Sequence, residues 1–446
     1  GQGKRMRSAK PKVLHTLAGK TLLDRVLDTA ETLTDGSVAV ITGFGSEMVK
    51  QAISRHVNWL FQPEQLGTGD AVRQALASIR TDATVLVLYG DVPLIKANTL
   101  EKLLSLVDAR TMAILTITLD NPSGYGRILR ADDSHVIAIV EEKDADADQK
   151  AVREVNTGVM AFPPGFLNQW LPLIENDNAQ SEYYLTDLVK LANANGMTIA
   201  ALEATSPMEI EGVNSRGQLH NLERAYQRDL AAMLQDQGAT IADSSRFDCR
   251  GQLSCGQDCF IDINAVFEGT VTLGDNVTIG PNCTIANAQI ADGVSIKANT
   301  VIEGPVTIDR NAVVGPFARL RPGTILKENS RIGNFVETKK SVIGPGSKVN
   351  HLSYIGDTTV GINANIGAGT ITCNYDGVNK HQTTIGDEAF IGSNSSLVAP
   401  VNIGNRVTVG AGSTLTADVS DDQLAVARGR QRNIDHWPRP TKEEKE

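Results

Sequence analysis

The chain has 446 residues, too many for one ordinary domain, and only 4% of them are aromatic against 41% hydrophobic, so its cores must be largely aliphatic. A net charge of −10 and a pI near 5.3 argue against a nucleic-acid partner, which calls for a basic face. No apolar run approaches the ~20 residues that cross a bilayer, so no membrane partner is expected.

No leader is visible, although the sequence opens on Gly1 rather than Met, and a cytoplasmic protein is expected. The five cysteines, Cys249, Cys255, Cys259, Cys283 and Cys373, are odd in number and scattered, unlike a disulfide framework. Cys249, Cys255 and Cys259 invite a reading as metal ligands, but no His accompanies them, and reduced thiols fit better.

The chain opens on Gly1-Gln2-Gly3-Lys4-Arg5-Met6, followed by Pro11-Lys12. A cation-rich Gly-x-Gly turn can close backbone N–H groups and Lys or Arg side chains on phosphates. Residues 21–33 carry an amphipathic helical pattern, with Leu22, Leu23, Val26, Leu27 and Ala30 on one side. Apolar strands are expected at 37–42, 83–89 and 112–119, separated by helical patterns at 69–79 and 98–107. That alternation predicts a Rossmann-like α/β domain, a mostly parallel sheet with helices on both faces and ligands at the carboxyl ends of its strands.

One such end is Tyr89-Gly90-Asp91. A carboxylate there can hold Mg²⁺ against phosphates, although a lone Gly-Asp is more often a turn satisfying its own backbone. Gln62-Pro63-Glu64-Gln65-Leu66-Gly67-Thr68-Gly69 is a polar loop running into a helix, fit to read a base edge or merely to cap the helix. Gly124-Tyr125-Gly126-Arg127 and Glu141-Glu142-Lys143 flank an expected hairpin, and Asn156-Thr157-Gly158 and Gly212-Val213-Asn214 add polar Gly turns. In this order the motifs resemble the sugar-nucleotide pyrophosphorylases. That family has an opening strand before its first Gly, which is expected to precede Gly1 in the full protein.

Residues 215–238 read as an uninterrupted helix linking a first domain, 1–214, to a second, 239–446. In the second, an aliphatic residue recurs every six positions: Ile290, Ile296, Ile302, Ile308, Val314, Leu320, Leu326 and Ile332. The period resumes at Ile343, Val349 and Ile355, and again at Ile385, Ile391, Leu397, Ile403, Val409 and Leu415. A period of six fits neither a helix nor simple strand alternation. It is the hexapeptide signature of a parallel β-helix, whose stacked short strands bury one aliphatic residue per hexad.

Chemistry-bearing residues interrupt these hexads. Arg319-Leu320-Arg321 is followed by Asn334 to Lys340, His351 to Tyr354, Asn365 to Gly369 and the loop Asn374-Tyr375-Asp376-Gly377. Arg suits bidentate phosphate binding, and a His beside an acceptor can act as a general base. This half resembles the left-handed β-helix acyltransferases. The whole chain is similar to the bifunctional bacterial enzymes that acetylate glucosamine-1-phosphate with acetyl-CoA and then join the product to UTP.

The resemblance implies the following roles. Arg5 and Lys12 supply positive charge to the uridylyl transfer, and Asp91 and Asn214 hold Mg²⁺. Gln62, Gln65, Gly67 and Thr68 read uracil, Tyr89 and Gly90 belong to the same UTP site, and Gly126, Glu141 and Asn156 bind the amino sugar. In the acetyl transfer His351 is the base, and backbone donors near Ala368 meet the oxyanion. Arg321, Lys339, Tyr354, Asn365, Asn374 and Tyr375 hold glucosamine-1-phosphate, while Ala368, Ser393, Ala411 and Arg428 line the acetyl-CoA arm. A homotrimer with its acyl-transfer groove between neighbouring chains is implied as well. Two alternatives predict fewer polar interruptions: a single-activity nucleotidyltransferase whose β-helix only assembles, and a non-catalytic β-helix scaffold.

Overall fold

The computed structural model describes residues 4–34, 38–131 and 135–442, which leaves the Gly1-x-Gly3 turn outside the described residues. Contacts divide the chain into two compact units, Gly1–Asp229 and Leu230–Glu446. The division falls inside the helix Arg216–Asp236, within the stretch expected as a linker. Leu222 packs in a cluster with Met6, Leu17, Leu22 and Val213 of the first unit, and Ala231 and Leu234 pack into the aliphatic core of the second.

The first unit contains the expected elements, with the helix Leu22–Glu31 started by Thr21, whose hydroxyl accepts from Asp24 N–H. Its main sheet is less parallel than expected. Thr198–Glu203 runs parallel to Thr111–Thr118. The long strand Glu154–Phe162, however, lies antiparallel to Thr111–Thr118, Val85–Val87 and Arg127–Arg130. The expected hairpin is present: Arg127–Arg130 returns directly as Val136–Val140, and a short connection can only join antiparallel strands. Ala39–Thr42 and Asn58–Phe61 form a separate parallel pair.

The second unit is a stack of parallel coils. One face is an eleven-stranded ladder. The other two are built from strands that first turn a corner whole, as in Phe247–Cys255 and Ala265–Leu273, and later split, as in Arg319–Leu320 and Thr324–Leu326. Every aliphatic residue of the six-period is buried in one continuous core. Most partners on the ladder lie 17 or 18 positions apart, as in Ile279 with Ile296 and Ile296 with Val314, which is three hexads per coil. The step from Ile366 to Ile391 is 25, because the loop after Asn374 leaves the coil.

One corner requires a left-handed backbone at each level. Asn264, Asn282, Asn299, Gly369, Asn394 and Gly412 take it with φ between 56° and 75°, as suits Asn and Gly. Phe317, Phe335 and Leu352 take it at the same corner, at φ 55°, 54° and 49°. All three are exposed, and the two rings stack with centroids 5.3 Å apart.

Candidate active sites

In the first unit three residues remote in sequence converge. Pro11 leads into the tight turn Lys12–Leu14, which aims Lys12 at the segment after Val85–Val87. The Lys12 ammonium pairs with the Asp91 carboxylate and donates to Asn214 Oδ1 at 2.9 Å. Val213 N–H donates to the Asp91 carbonyl at 2.9 Å, tying the two segments together. Asn214 N–H donates to Gln218 Oε1 at 3.0 Å, at the start of the long helix. Arg5 is exposed on the turn Lys4–Met6.

Beside this triad lies a second group. The Tyr89 ring covers Gly158, which takes φ +87°. Burial, then the charges of Glu141 and Asp91, push the Tyr89 phenol up to about 12, while a hydrogen bond with Thr68 opposes the shift. Tyr89 therefore stays a neutral donor. Burial also raises the Glu141 carboxyl, although Thr186 donates to it at 3.0 Å. Gly126 lies against that carboxylate, 3.4 Å from where a Cβ would stand. Asn156 N–H donates to the Gly126 carbonyl at 2.8 Å, and the Asn156 side-chain oxygen accepts from Gly158 N–H at 3.0 Å.

Gln62 differs from expectation. It is buried, and its amide nitrogen donates to the Gly67 carbonyl at 3.2 Å and to Asp70 at 2.8 Å, so it braces the loop from inside. Gln65, by contrast, is exposed beside Gly43. Gly67, at φ +114°, leaves no room for a Cβ against the Tyr183 backbone. Thr68 starts the helix Thr68–Arg73 and accepts from Leu185 N–H at 3.1 Å. Gly90 sits over Leu23, whose Cδ1 would lie 3.3 Å from an added Cβ.

On the β-helix the expected residues fall into two columns. The ladder aligns Asn334 with His351. Extending the pairings of Val349 with Ile366, Ile366 with Ile391 and Ile391 with Val409 by two residues places His351, Ala368, Ser393 and Ala411 at one corner on successive coils. Arg428 reaches this column by donating to the Ala411 carbonyl at 2.6 Å. Asn365 is nearby on the same face, paired with Lys348 and Phe390. His351 is exposed, and its Nδ1 lies 2.7 Å from Asn334 Oδ1. An amide oxygen can only accept, so Nδ1 carries the proton and Nε2 keeps its lone pair. Asn334, which sequence reasoning quoted without a role, is thus the hydrogen-bond partner that orients the ring. The Gly369 N–H meets the His351 carbonyl at a long 3.4 Å.

The second column is cationic. Lys339 pairs with Gly356, and Arg321 stands one coil away, its N–H donating to the Thr338 carbonyl at 2.9 Å. Arg321 donates to Glu337 Oε1 at 2.8 Å, and this contact is the first cause that raises its pKa. The Tyr354 hydroxyl folds over Gly356. Asn374 is buried, with its amide on the Asp357 carboxylate, while Tyr375 is exposed. Left-handed corners at Leu352 and Asp357 bound the face carrying Tyr354–Gly356. His351 lies just outside the first corner, and the cationic pair is level with Gly356 just inside the other. The chain bends at Leu352 between His351 and the three-residue strand Tyr354–Gly356, so the two columns are closer than the roughly 16 Å that five residues of straight strand would span.

Residues 1–242 match the family described as the MobA-like NTP transferase domain. Residues 254–287 and 287–322 match the bacterial transferase hexapeptide family, and 382–417 match the hexapeptide repeat of succinyl-transferase. The Bifunctional protein GlmU of Marinobacter nauticus is 56% identical over 443 residues, covering 99% of this chain and 97% of that protein. The proteins of the same name from Cellvibrio japonicus and Pseudoalteromonas atlantica are 55% and 52% identical, over 99% and 100% of this chain and 98% of each relative. The chain belongs to the bifunctional GlmU family. It joins a nucleotidyltransferase domain to a left-handed hexapeptide β-helix, and with GlmU membership go both transfers: acetyl to glucosamine-1-phosphate, then uridylyl to N-acetylglucosamine-1-phosphate.

Proposed function

We propose that the two groups of residues divide the two reactions between them, with the Lys12, Asp91 and Asn214 triad centred on the phosphates of UTP and the His351 column on acetyl-CoA. The observation that carries the first assignment is the convergence of an ammonium, a carboxylate and an amide oxygen from three distant segments. A carboxylate and an amide oxygen suit Mg²⁺, which takes one or two protein oxygens and completes its shell with phosphates and water. Bound there, the ion would neutralise charge on the phosphates. Lys12 and Arg5 supply further positive charge to the attack of the sugar phosphate on the α-phosphorus, as pyrophosphate leaves. Glu141, Gly126 and Asn156 bind the amino sugar, and Gln65, Gly67 and Thr68 receive the base, with Gln62 bracing their loop.

In the acetyl transfer His351 Nε2 takes a proton from the 2-amino group as the nitrogen attacks the thioester carbonyl, and the thiolate of coenzyme A departs. Arg321, Lys339, Tyr354, Asn365, Asn374 and Tyr375 hold the sugar phosphate, and Ala368, Ser393, Ala411 and Arg428 line the coenzyme arm. We assign the acyl-transfer groove to the boundary between neighbouring chains of a homotrimer. The left-handed, exposed Phe317, Phe335 and Leu352 beside His351 support it, since bulky residues accept such strain where function holds them there. No helix among the described residues is long and apolar enough to cross a membrane.

The test supplies glucosamine-1-phosphate, acetyl-CoA, UTP and Mg²⁺, and follows free coenzyme A and pyrophosphate separately. Asp91→Asn should abolish pyrophosphate release from N-acetylglucosamine-1-phosphate and spare coenzyme A release, and His351→Ala should do the reverse. Loss of both products in either folded variant overturns the division.

A further inference from the structure

In the first unit the hairpin ladder stops short of the residues that face the amino sugar. Arg127–Arg130 and Val136–Val140 pair as far as Arg127 with Val140. Gly126 and Glu141 lie one step beyond. The Gly126 carbonyl is tied to Asn156 N–H on another strand, and the Glu141 carbonyl accepts from Asp144 and Ala145 N–H, both at 3.0 Å. Among the described residues no backbone hydrogen bond joins 124–126 to 141–142. Side chains therefore decide how far apart these two ends stand.

Arg127 and Glu142 close that gap. The Arg127 side chain is 2% exposed, and its Nη2 lies 2.6 Å from Glu142 Oε2. Its Nη1 donates to the Tyr125 carbonyl, and Nη2 reaches the Lys150 carbonyl at a long 3.5 Å. Glu142 Oε2 also accepts from Gly124 N–H at 3.3 Å. The hydrogen bond from Arg127 is the first cause that holds the Glu142 carboxyl below its ordinary value. One guanidinium thus grips the residue before Gly126 and the residue after Glu141. Stability does not account for it: Arg127 Nε has no partner among the described residues, and an apolar side chain of similar volume often serves a core as well as a buried ion pair does. What the pair supplies is a fixed separation of the two ends.

We propose that Arg127 and Glu142 form a positioning clamp for uridylyl transfer, holding Gly126 and Glu141 at the separation that N-acetylglucosamine-1-phosphate fills. This rests on the assignment of Gly126 and Glu141 to that substrate. Neither clamp residue touches a reacting atom; both act through the backbone ends they join.

The experiment uses the full chain and measures KM for N-acetylglucosamine-1-phosphate and for UTP separately, with thermal unfolding recorded and acetyl transfer as the integrity control. Arg127→Met keeps most of the buried volume without the donors. It should raise KM for the sugar phosphate roughly fivefold, as expected for one lost hydrogen bond. KM for UTP, acetyl transfer and the unfolding midpoint should stay as they are. Glu142→Ala breaks the clamp from its more exposed side and decides the matter if Arg127→Met does not fold. It should give the same rise in KM, with a lower midpoint because the guanidinium is left unpaired. Glu142→Gln still accepts from Arg127 and should recover most of the loss. An unchanged sugar-phosphate KM in either folded breaking variant, or an equal rise for both substrates that Gln does not rescue, overturns the clamp. Glu141→Gln separates the two ideas. If it leaves the sugar-phosphate KM unchanged, the site assignment fails, and the clamp with it. If it raises that KM while Arg127→Met and Glu142→Ala do not, only the clamp fails.

Discussion

Replacing Gly158 with Ala tests whether Tyr89 belongs to the uridylyl site. The new Cβ would stand 2.3 Å from Tyr89 Cε2 and 2.9 Å from Cζ, on a backbone at φ +87°. The left-handed backbone alone costs a residue with a Cβ about 1–2 kcal/mol. The ring must also retreat by about 1 Å to reach an ordinary contact near 3.4 Å, carrying its hydroxyl away from Thr68, Glu141 and Asp91. A misplacement of that size in a substrate-positioning group costs on the order of 10²-fold in rate. Gly196 provides the control, since it has φ +73° and nothing within 4 Å of an added Cβ. Gly196→Ala should lower the unfolding midpoint by the backbone cost and leave turnover alone. The assay is pyrophosphate release at saturating substrates, with thermal unfolding measured on both variants and acetyl transfer as the internal reference. Equal uridylyl activity in the two variants, at equal loss of stability, would refute the role given to Tyr89.

Two further expectations concern other parts of the molecule. Phe335→Asn places at the left-handed corner a residue that tolerates it, so it should stabilise the isolated chain by about 1 kcal/mol while weakening assembly and acetyl transfer; sedimentation and chemical unfolding decide it, and an unaffected assembly would remove Phe335 from the interface. The Glu141 carboxyl is raised by burial, so on acidification it takes up its proton earlier than an ordinary carboxyl. KM for N-acetylglucosamine-1-phosphate should therefore begin to climb above the usual carboxylate range, and Glu141→Gln should abolish that acid limb; an identical limb in the variant would clear Glu141. For stability the sign is reversed: a carboxyl whose folded pKa lies above its unfolded one disfavours folding while charged, and that penalty disappears as pH falls through the raised value.

The β-helix was legible because its interior asks for one small aliphatic side chain per hexad, and Ile296, Val314 and Ile332 report this at every coil. Asp91 and Asn214 were legible as polar ends of Gly turns, and the structure brings them together on Lys12. The inward turn of Gln62 was not legible, because an amide has the same polarity whether it faces a ligand or Asp70. Nor was the corner at Phe317, Phe335 and Leu352. Asn or Gly announces a left-handed backbone, whereas Phe in that conformation is imposed by the coils above and below. Asn334 and Thr186 escaped because their importance lies in what they orient, His351 and Glu141, across 17 and 45 residues of sequence. The antiparallel course of Glu154–Phe162 escaped because helix and strand alternation speaks of connections, not of direction.

The 25-residue step has an evolutionary consequence. Coils below Ile366 and above Ile391 keep the same register although nearly half a turn's worth of extra chain is spliced between them. Insertions at a corner are thus invisible to the stack, and a lineage can lengthen, trim or exchange the Asn374 hairpin without refolding what carries it. Substrate preference and scaffold stability can then drift independently, the one recorded in a few protruding residues and the other in the aliphatic interior.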